Sequence, residues 1–481
     1  MTKARTGAAL LSISLDRSGK ETLQAQLLLQ LRRMILERMM PPGSKLPSSR
    51  TLAEELSVSR VTVSAVIDQL VSEGYLEARA RSGVYVEAEL PEQVPAAAMS
   101  APRKSTREFE IEASTARQPF DMSALERDLF PYRQWSRHHD QAWRSPEPAL
   151  LTRVDPFGWR PLRSAIADHL QEWRGLVCSP EQIFITAGVV DAIGLIGAVV
   201  LRDGDQVFTE DPGYSVLNRT LHRNRMVPVP SMVDENGFNI KIAEQLTSSA
   251  TAAIVTPSRH YPLGVTLSLS RRLELIEWAI ANQGYVIEDD FDSEFRFQGR
   301  PLPAMMALNN QDRVIYVGSF SKVIFSELRL GFVVFPNSIL PNVQISLDRA
   351  DPQASLMMQP VLARFMQSGD FAIHVRRMRR LYAKRQAALL QAIAIYASDL
   401  FEVDPIPSGM HLIATFTPQL SARMTDIEAT HRAKTAGVSV QPLSSYFSND
   451  PARHGLVMGF AGFTEGTLKK GIQDLAQALK S

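Results

Sequence analysis

Apolar side chains recur at helical spacing through residues 23–39, "LQAQLLLQLRRMILERM", and "PPG" at 41–43 stops that helix, because proline lacks the backbone donor that a helix needs. The next stretch, "LPSSRTLAEELSVSRVTVSAVIDQLVSEG", predicts two more helices. Ser48 or Ser49 caps the first, Ser57 and Val58 form a tight connection, and Ser59 caps the second. This is a helix-turn-helix spacing. At 75–86, "YLEARARSGVYV" gives two short β-rich runs about the turn "RSG", a hairpin or wing.

Residues 1–88 are therefore expected to form one domain. From 89 to 118 the chain is Pro/Ala/Ser-rich and charged without strong periodicity, which predicts an exposed linker. Beyond it, residues 119–481 alternate helical stretches with strand-like runs: "QIFITAG", "DQVFTEDPG", "AAIVTPS", "GYVIEDD" and "RVIYVGS". That alternation predicts an α/β domain with a mostly parallel sheet covered by helices.

Composition narrows the picture modestly. At 481 residues, more than one hydrophobic core is expected. The 52 Lys+Arg and 51 Asp+Glu nearly cancel, so global charge names no partner. Residues 1–88 carry twelve Lys/Arg against nine Asp/Glu, so a nucleic-acid footprint there has to be local. A single cysteine, Cys178, excludes an intrachain disulfide framework and is read as a buried, inert thiol. The longest apolar run, "AIGLIGAVVL", is too short to span a bilayer, and the expectation is a cytoplasmic protein without a membrane anchor.

Helix-turn-helix units present the first turn of their last helix to base edges and use the wing for backbone contacts. Arg60 and Thr62 fall on that turn, Arg50 opens the preceding helix, and Arg79, Arg81 and Gly83 fall on the hairpin. In the second domain the central motif is "GSFSKVIFSELRLGF" at 318–332, with Ser319, Ser321 and Lys322, and Arg329 seven positions beyond the lysine. A pyridoxal 5′-phosphate (PLP) site needs a lysine to form a Schiff base, and hydroxyls with an arginine to hold the phosphate.

Four further motifs occur in chain order. "TAGVVDA" offers the backbone N–H groups of Gly188 and Val189 at a helix start. "EDPGYSV" offers Tyr214 as a stacking ring, and "TPSRHYPLGV" a loop with Tyr261. "VIEDDFDSEFRF" ends a strand in carboxylates, of which Asp289 is the choice for the pyridinium nitrogen. Such an acid cluster can also mean a metal site, but no histidine pattern supports one, and none is expected.

Over residues 20–87 the chain resembles the GntR family of winged-helix repressors, and this implies DNA contact by Arg50, Arg60, Thr62 and Gly83. Ser64 stands where many relatives carry a basic residue. From 119 to 481 the ordered motifs, with "VDPFGWRPLRSAIADHLQEWRG" at 154–175, resemble the fold-type I aminotransferases, which have a smaller C-terminal subdomain. The fusion resembles the MocR subfamily. What that implies is a head-to-tail homodimer that binds double-stranded operator DNA and holds PLP on Lys322. A small amine would form an external aldimine there and change operator binding.

Three departures bear on the effector. Phe291 stands where relatives commonly carry tyrosine, so Tyr261, Arg259 or His260 is expected to substitute, or the hydrogen bond is missing. Val457 stands where aminotransferases place a carboxylate-binding arginine, and Val216 where a GABA-responsive relative has one. "SRHYP" replaces Ser-His-Gln, and Arg259 is either an anion-binding charge or a surface residue. The expected effector is an amine such as taurine, an ectoine-derived diamino acid, GABA or β-alanine, or the cofactor alone. The alternative is a working PLP-dependent aminotransferase that carries a DNA-binding module; a large domain without cofactor is the third reading.

Overall fold

The computed structural model describes residues 13–17, 21–79, 82–88, 117–151, 155–299, 301–308, 311–347, 354–449 and 453–480. The chain divides into two compact units, Met1–Glu112 and Ala113–Ser481. The stretch read as a linker lies outside the described residues from 89 to 116.

In the first unit, α1 (Leu23–Leu36), α2 (Ser49–Leu56) and α3 (Arg60–Ser72) precede the antiparallel strands β1 (Leu76–Arg79) and β2 (Gly83–Val86). One core joins them: Leu27, Leu31 and Ile35 of α1 meet Leu52 of α2, Val63, Val66 and Leu70 of α3, and Leu76 and Val86 of the wing. Ser48 and Ser59 are the caps, each accepting a backbone N–H three residues on at 3.1 and 3.0 Å. Ser57 makes the turn in the left-handed conformation, with φ 53°. The first helix ends earlier than the sequence predicts. Arg38 turns left-handed at φ 55°, which drops Met40 into the core before "PPG" is reached.

The second unit is built on an eight-stranded sheet in the order β3-β10-β9-β8-β7-β4-β5-β6. Its strands are β3 (Ile183–Thr186), β4 (Gln206–Asp211), β5 (Val227–Asp234), β6 (Gly237–Phe238), β7 (Ala250–Val255), β8 (Tyr285–Asp290), β9 (Val314–Ser319) and β10 (Gly331–Val334). Strands β9, β8, β7, β4 and β5 run parallel; β10 is antiparallel to both its neighbours, and β6 to β5. The parallel strands β4, β7, β8 and β9 are buried along most of their length, as expected where helices cover both faces, whereas β5, toward the edge of the sheet, is mostly half-buried or exposed. A smaller antiparallel sheet in the order β11-β12-β14-β13 follows, from β11 (Phe401–Glu402), β12 (His411–Phe416), β13 (Gln441–Pro442) and β14 (Gly455–Gly459). Among the described residues no helix is long and apolar enough to cross a membrane.

Candidate functional site

The C-terminal ends of the parallel strands open on a cavity of about 310 Å³, the location where open α/β sheets place ligands. Its lining includes Gly188, Val189, Tyr214, Tyr261, Asp289, Ser319, Ser321, Lys322 and Arg329. Residues spread over more than 140 positions of the chain are thus brought to one place.

One corner suits an anion. Gly188 caps the helix α4 (Val189–Val200) at φ 118°, a conformation open to glycine, and no side chain caps that helix. Its first-turn N–H groups and positive dipole end stand at the cavity beside Ser319, Ser321 and Arg329. Gly331 of the neighbouring strand makes the turn possible, because a Cβ there would lie 3.1 Å from the Gly188 Cα.

On the floor, the carboxylates of "EDDFD" divide their work. Glu288 and Asp290 hold Arg174 at 3.2 and 3.0 Å, and Asp292 holds Arg259 at 3.2 Å. Asp289 alone of the four faces the cavity, and among the described residues none hydrogen-bonds or ion-pairs with its carboxyl. Burial, with the nearby charges of Asp290 and Asp292, pushes its pKa up to about 7. Lys322 likewise has no ion pair among the described residues, and burial holds its ammonium below the usual lysine range, opposed by Asp292 and Asp121. Among the described residues no three or more His, Cys, Asp or Glu side chains are disposed to hold a metal ion. Cys178 is half-buried, and burial pushes its thiol up to about 12.

The aromatic wall departs from expectation in detail. Tyr214 meets Tyr261 edge-on at 5.7 Å, and Tyr261 meets Phe291 edge-on at 5.6 Å. The Tyr261 hydroxyl lies 3.0 Å from that of Tyr446. Of the three residues expected to substitute for the missing tyrosine, Arg259 and His260 do not reach this cavity. Burying a guanidinium requires a counter-charge, so Arg259 goes to Asp292 and donates to the His411 carbonyl at 2.9 Å. It is neither a surface residue nor a free anion-binding charge. Gly409 presses on it, leaving no room for a side chain there: a Cβ would fall 2.3 Å from the Arg259 Cζ. Val457 is fully buried in an apolar cluster with Leu443 and Tyr446.

Sequence reasoning missed Met122, Ala124, Leu125, Thr256, Met410, His411, Gly459 and Ala461, which also line the cavity. Most come from the segment before the large sheet and from the small sheet, and no local motif announces them. Thr256 was signalled only by its place at the start of "TPSRHYP".

In the first unit Arg60 is exposed at the start of α3, and Thr62 stands two residues on with its hydroxyl 2.7 Å from that of the cap Ser59. Arg50, at the start of α2, is exposed and reaches Glu54 at 3.2 Å. Gly83 is exposed at φ 119°, and Lys45, which sequence reasoning passed over, runs beside it. Arg79 stacks over the Tyr85 ring at 4.6 Å. Arg81 lies outside the described residues.

The first unit matches the model of the bacterial regulatory proteins of the gntR family over residues 23–86. The second is similar in fold to the kynurenine aminotransferase of Pyrococcus horikoshii solved with PMP, with a TM-score of 0.68 and 24% identity over 80% of this chain and 96% of that one. The class so defined is a DNA-binding transcription regulator whose large domain has the fold-type I aminotransferase architecture. Several relatives span nearly the whole chain. The probable rhizopine catabolism regulatory protein MocR of Rhizobium meliloti is 34% identical over 96% of this chain and 95% of its own length. The pyridoxine biosynthesis transcriptional regulator PdxR of Corynebacterium glutamicum is 32% identical over 98% of each. The chain belongs to the MocR subfamily of GntR-type transcription regulators.

Proposed function

We propose that this regulator senses a small amine through pyridoxal 5′-phosphate held in the cavity by Lys322, and that amine binding alters its hold on an operator. The observation that carries the reading is that one cavity contains a lysine and a carboxyl without an ion-pair partner among the described residues, together with a helix N-terminus that no side chain caps. The residues fit the group. Gly188, Val189, Ser319, Ser321 and Arg329 would hold its phosphate, Asp289 its ring nitrogen, Tyr214 and Tyr261 its ring, and Lys322 its carbonyl carbon. PLP supplies an aldehyde that combines reversibly with primary amines and a ring that withdraws electrons.

The chain's own groups set what arrives. A lysine amine held below its usual pKa is more often neutral and so able to act as nucleophile or proton carrier. With Val457 in an apolar cluster and Arg259 committed to Asp292, the one arginine among the described residues that line the cavity is Arg329, at the phosphate corner, and none is left there as a clamp for an α-carboxylate. That favours taurine, an ectoine-derived diamino acid, GABA or β-alanine over ordinary α-amino acids. In the first unit, Arg50, Arg60, Thr62 and Gly83 would meet DNA, in a homodimer with two such heads.

The test is the visible absorbance of native protein and Lys322→Ala with PLP, followed by amines beginning with taurine, with operator binding measured in parallel. A band in the native protein alone, changed one-to-one by an amine that also changes DNA affinity, is expected. Repeated release of a keto or aldehyde product would instead make the protein an aminotransferase.

A further inference from the structure

Beneath the cavity floor the strands bring together polar groups that cofactor binding, as described, leaves unused. Glu210, on β4, is buried and faces Thr256, the residue that follows β7. The Thr256 backbone N–H donates to Glu210 Oε1 at 3.0 Å, and the Thr256 hydroxyl lies 2.6 Å from Oε2. The Tyr261 N–H donates to the same hydroxyl oxygen at 3.3 Å. Thr256 also lines the cavity, next to Tyr261, Asp289 and Phe291.

A hydroxyl has one hydrogen, and its direction depends on Glu210. An ionised carboxylate only accepts, so it would take the Thr256 hydrogen for itself. A protonated carboxyl donates instead. The hydroxyl oxygen would then accept from both Glu210 and Tyr261, and its own hydrogen would be free for a ligand in the cavity.

The surroundings favour the protonated form. His260 Nε2 lies 3.7 Å from Glu210 Oε2, and burial pushes His260 down to about 3, so that ring is neutral. Its Nδ1 accepts the Leu263 N–H at 3.3 Å, which puts the ring proton on Nε2, but at 3.7 Å that N–H lies beyond hydrogen-bond reach of the carboxyl and brings it no charge. Asp289, which shares a small void with Glu210, Tyr214 and Tyr261, brings a charge of the same sign. No cation faces the group among the described residues, and burial, opposed by the two hydrogen bonds with Thr256, pushes Glu210 up to about 8.

We propose that Glu210 is kept as a carboxylic acid and thereby turns the Thr256 hydroxyl hydrogen into the cavity, as a donor to an oxygen anion of the bound cofactor that Phe291 cannot serve. Thr256 touches the ligand; Glu210 acts through it as a positioning residue. The inference rests on the cofactor reading above.

The visible band of PLP-loaded protein, titrated with pH, tests it. A donor stabilises an oxygen anion, so its loss makes the chromophore hold its proton to higher pH. Thr256→Val is expected to raise the midpoint by about one pH unit, a tenfold change in proton affinity, while Thr256→Ser retains the native midpoint. Glu210→Gln, whose amide N–H donates as the acid does, is expected to titrate as native. A native midpoint in Thr256→Val, or a shift in Glu210→Gln equal to that of Thr256→Val, overturns the inference and leaves the cofactor reading intact. Absence of a band in the native protein overturns both. A second measurement needs no cofactor. The infrared stretch of protonated carboxyls at neutral pH is expected to lose one component in Glu210→Gln relative to native protein, and that component to remain in Asp289→Asn; identical spectra of native and Glu210→Gln protein overturn the inference.

Discussion

On the side of the cavity built by β8, β9 and the start of α4, the chain keeps Lys322, Asp289, Ser319, Ser321, Arg329 and an uncapped helix end. On the side built by β12 and β14, it presents Met410, His411, Gly459 and Ala461, with Val457 packed into an apolar cluster. Both sides belong to one aminotransferase-like fold, yet the first carries the groups that the proposed cofactor would use, and among the described residues lining the second there is no arginine or lysine to orient an α-amino acid. The contrast separates holding a cofactor from processing a substrate: catalysis requires groups that favour the transition state, whereas sensing requires only that a ligand distinguish two states of the protein. On the proposed reading, a cavity with the first side and without a clamp on the second is suited to sensing.

The comparison breaks most easily at Val457. Val457→Arg would bury a cation among apolar side chains, and a loss of about 3 to 5 kcal/mol in stability is expected from thermal or denaturant unfolding. Unchanged stability together with new α-amino-acid binding would show that the second side has room for a clamp after all. On the first side, Asp289→Ala should weaken PLP by about 3 kcal/mol, on the order of a hundredfold, in an absorbance titration, because the ring nitrogen would lose its counter-charge.

Smaller effects sharpen the contrast. Arg60→Ala should cost about 1 to 3 kcal/mol in operator affinity and leave the amine-dependent spectrum unchanged, as measured by DNA titration at several salt concentrations. The last prediction concerns pH. Asp289 is pushed up to about 7 and Glu210 to about 8, each chiefly by burial. Each binds its proton more tightly folded than unfolded, so their contribution to stability is present below the ordinary carboxylate range. It is lost as pH rises toward 7 to 8. Without PLP, the melting temperature should therefore carry a falling component over that interval. Asp289→Asn should reduce it, and bound PLP should do the same by placing a cation at Asp289.

Much of this cavity was legible in the sequence because its anchoring side is made of strand ends, each a short motif in chain order. Lys322, Asp289, Tyr214 and the turn at Gly188 all came from such motifs. The opposite side was not legible. His411 and Gly459 reach the cavity through long-range sheet pairing, and Gly459 is required by a backbone approach, a Cβ there falling 2.8 Å from the Asp121 carbonyl oxygen. Arg259 shows a different failure. Its identity suggested an anion site or a surface charge, whereas its burial and its pair with Asp292 depend on the packing of separate segments. The run "GFVV" at 331–334 was overlooked as a strand; it enters the sheet antiparallel between β3 and β9, which the expectation of a mostly parallel sheet did not locate.

The central claim is that Lys322 is the amine that meets PLP. Borohydride reduction of PLP-treated protein, followed by peptide mapping, tests it most directly. The prediction is one phosphopyridoxyl group, on the peptide containing Lys322, and none at that position once a responsive amine is added beforehand. A label on another lysine, or no label on the native protein, would contradict the account.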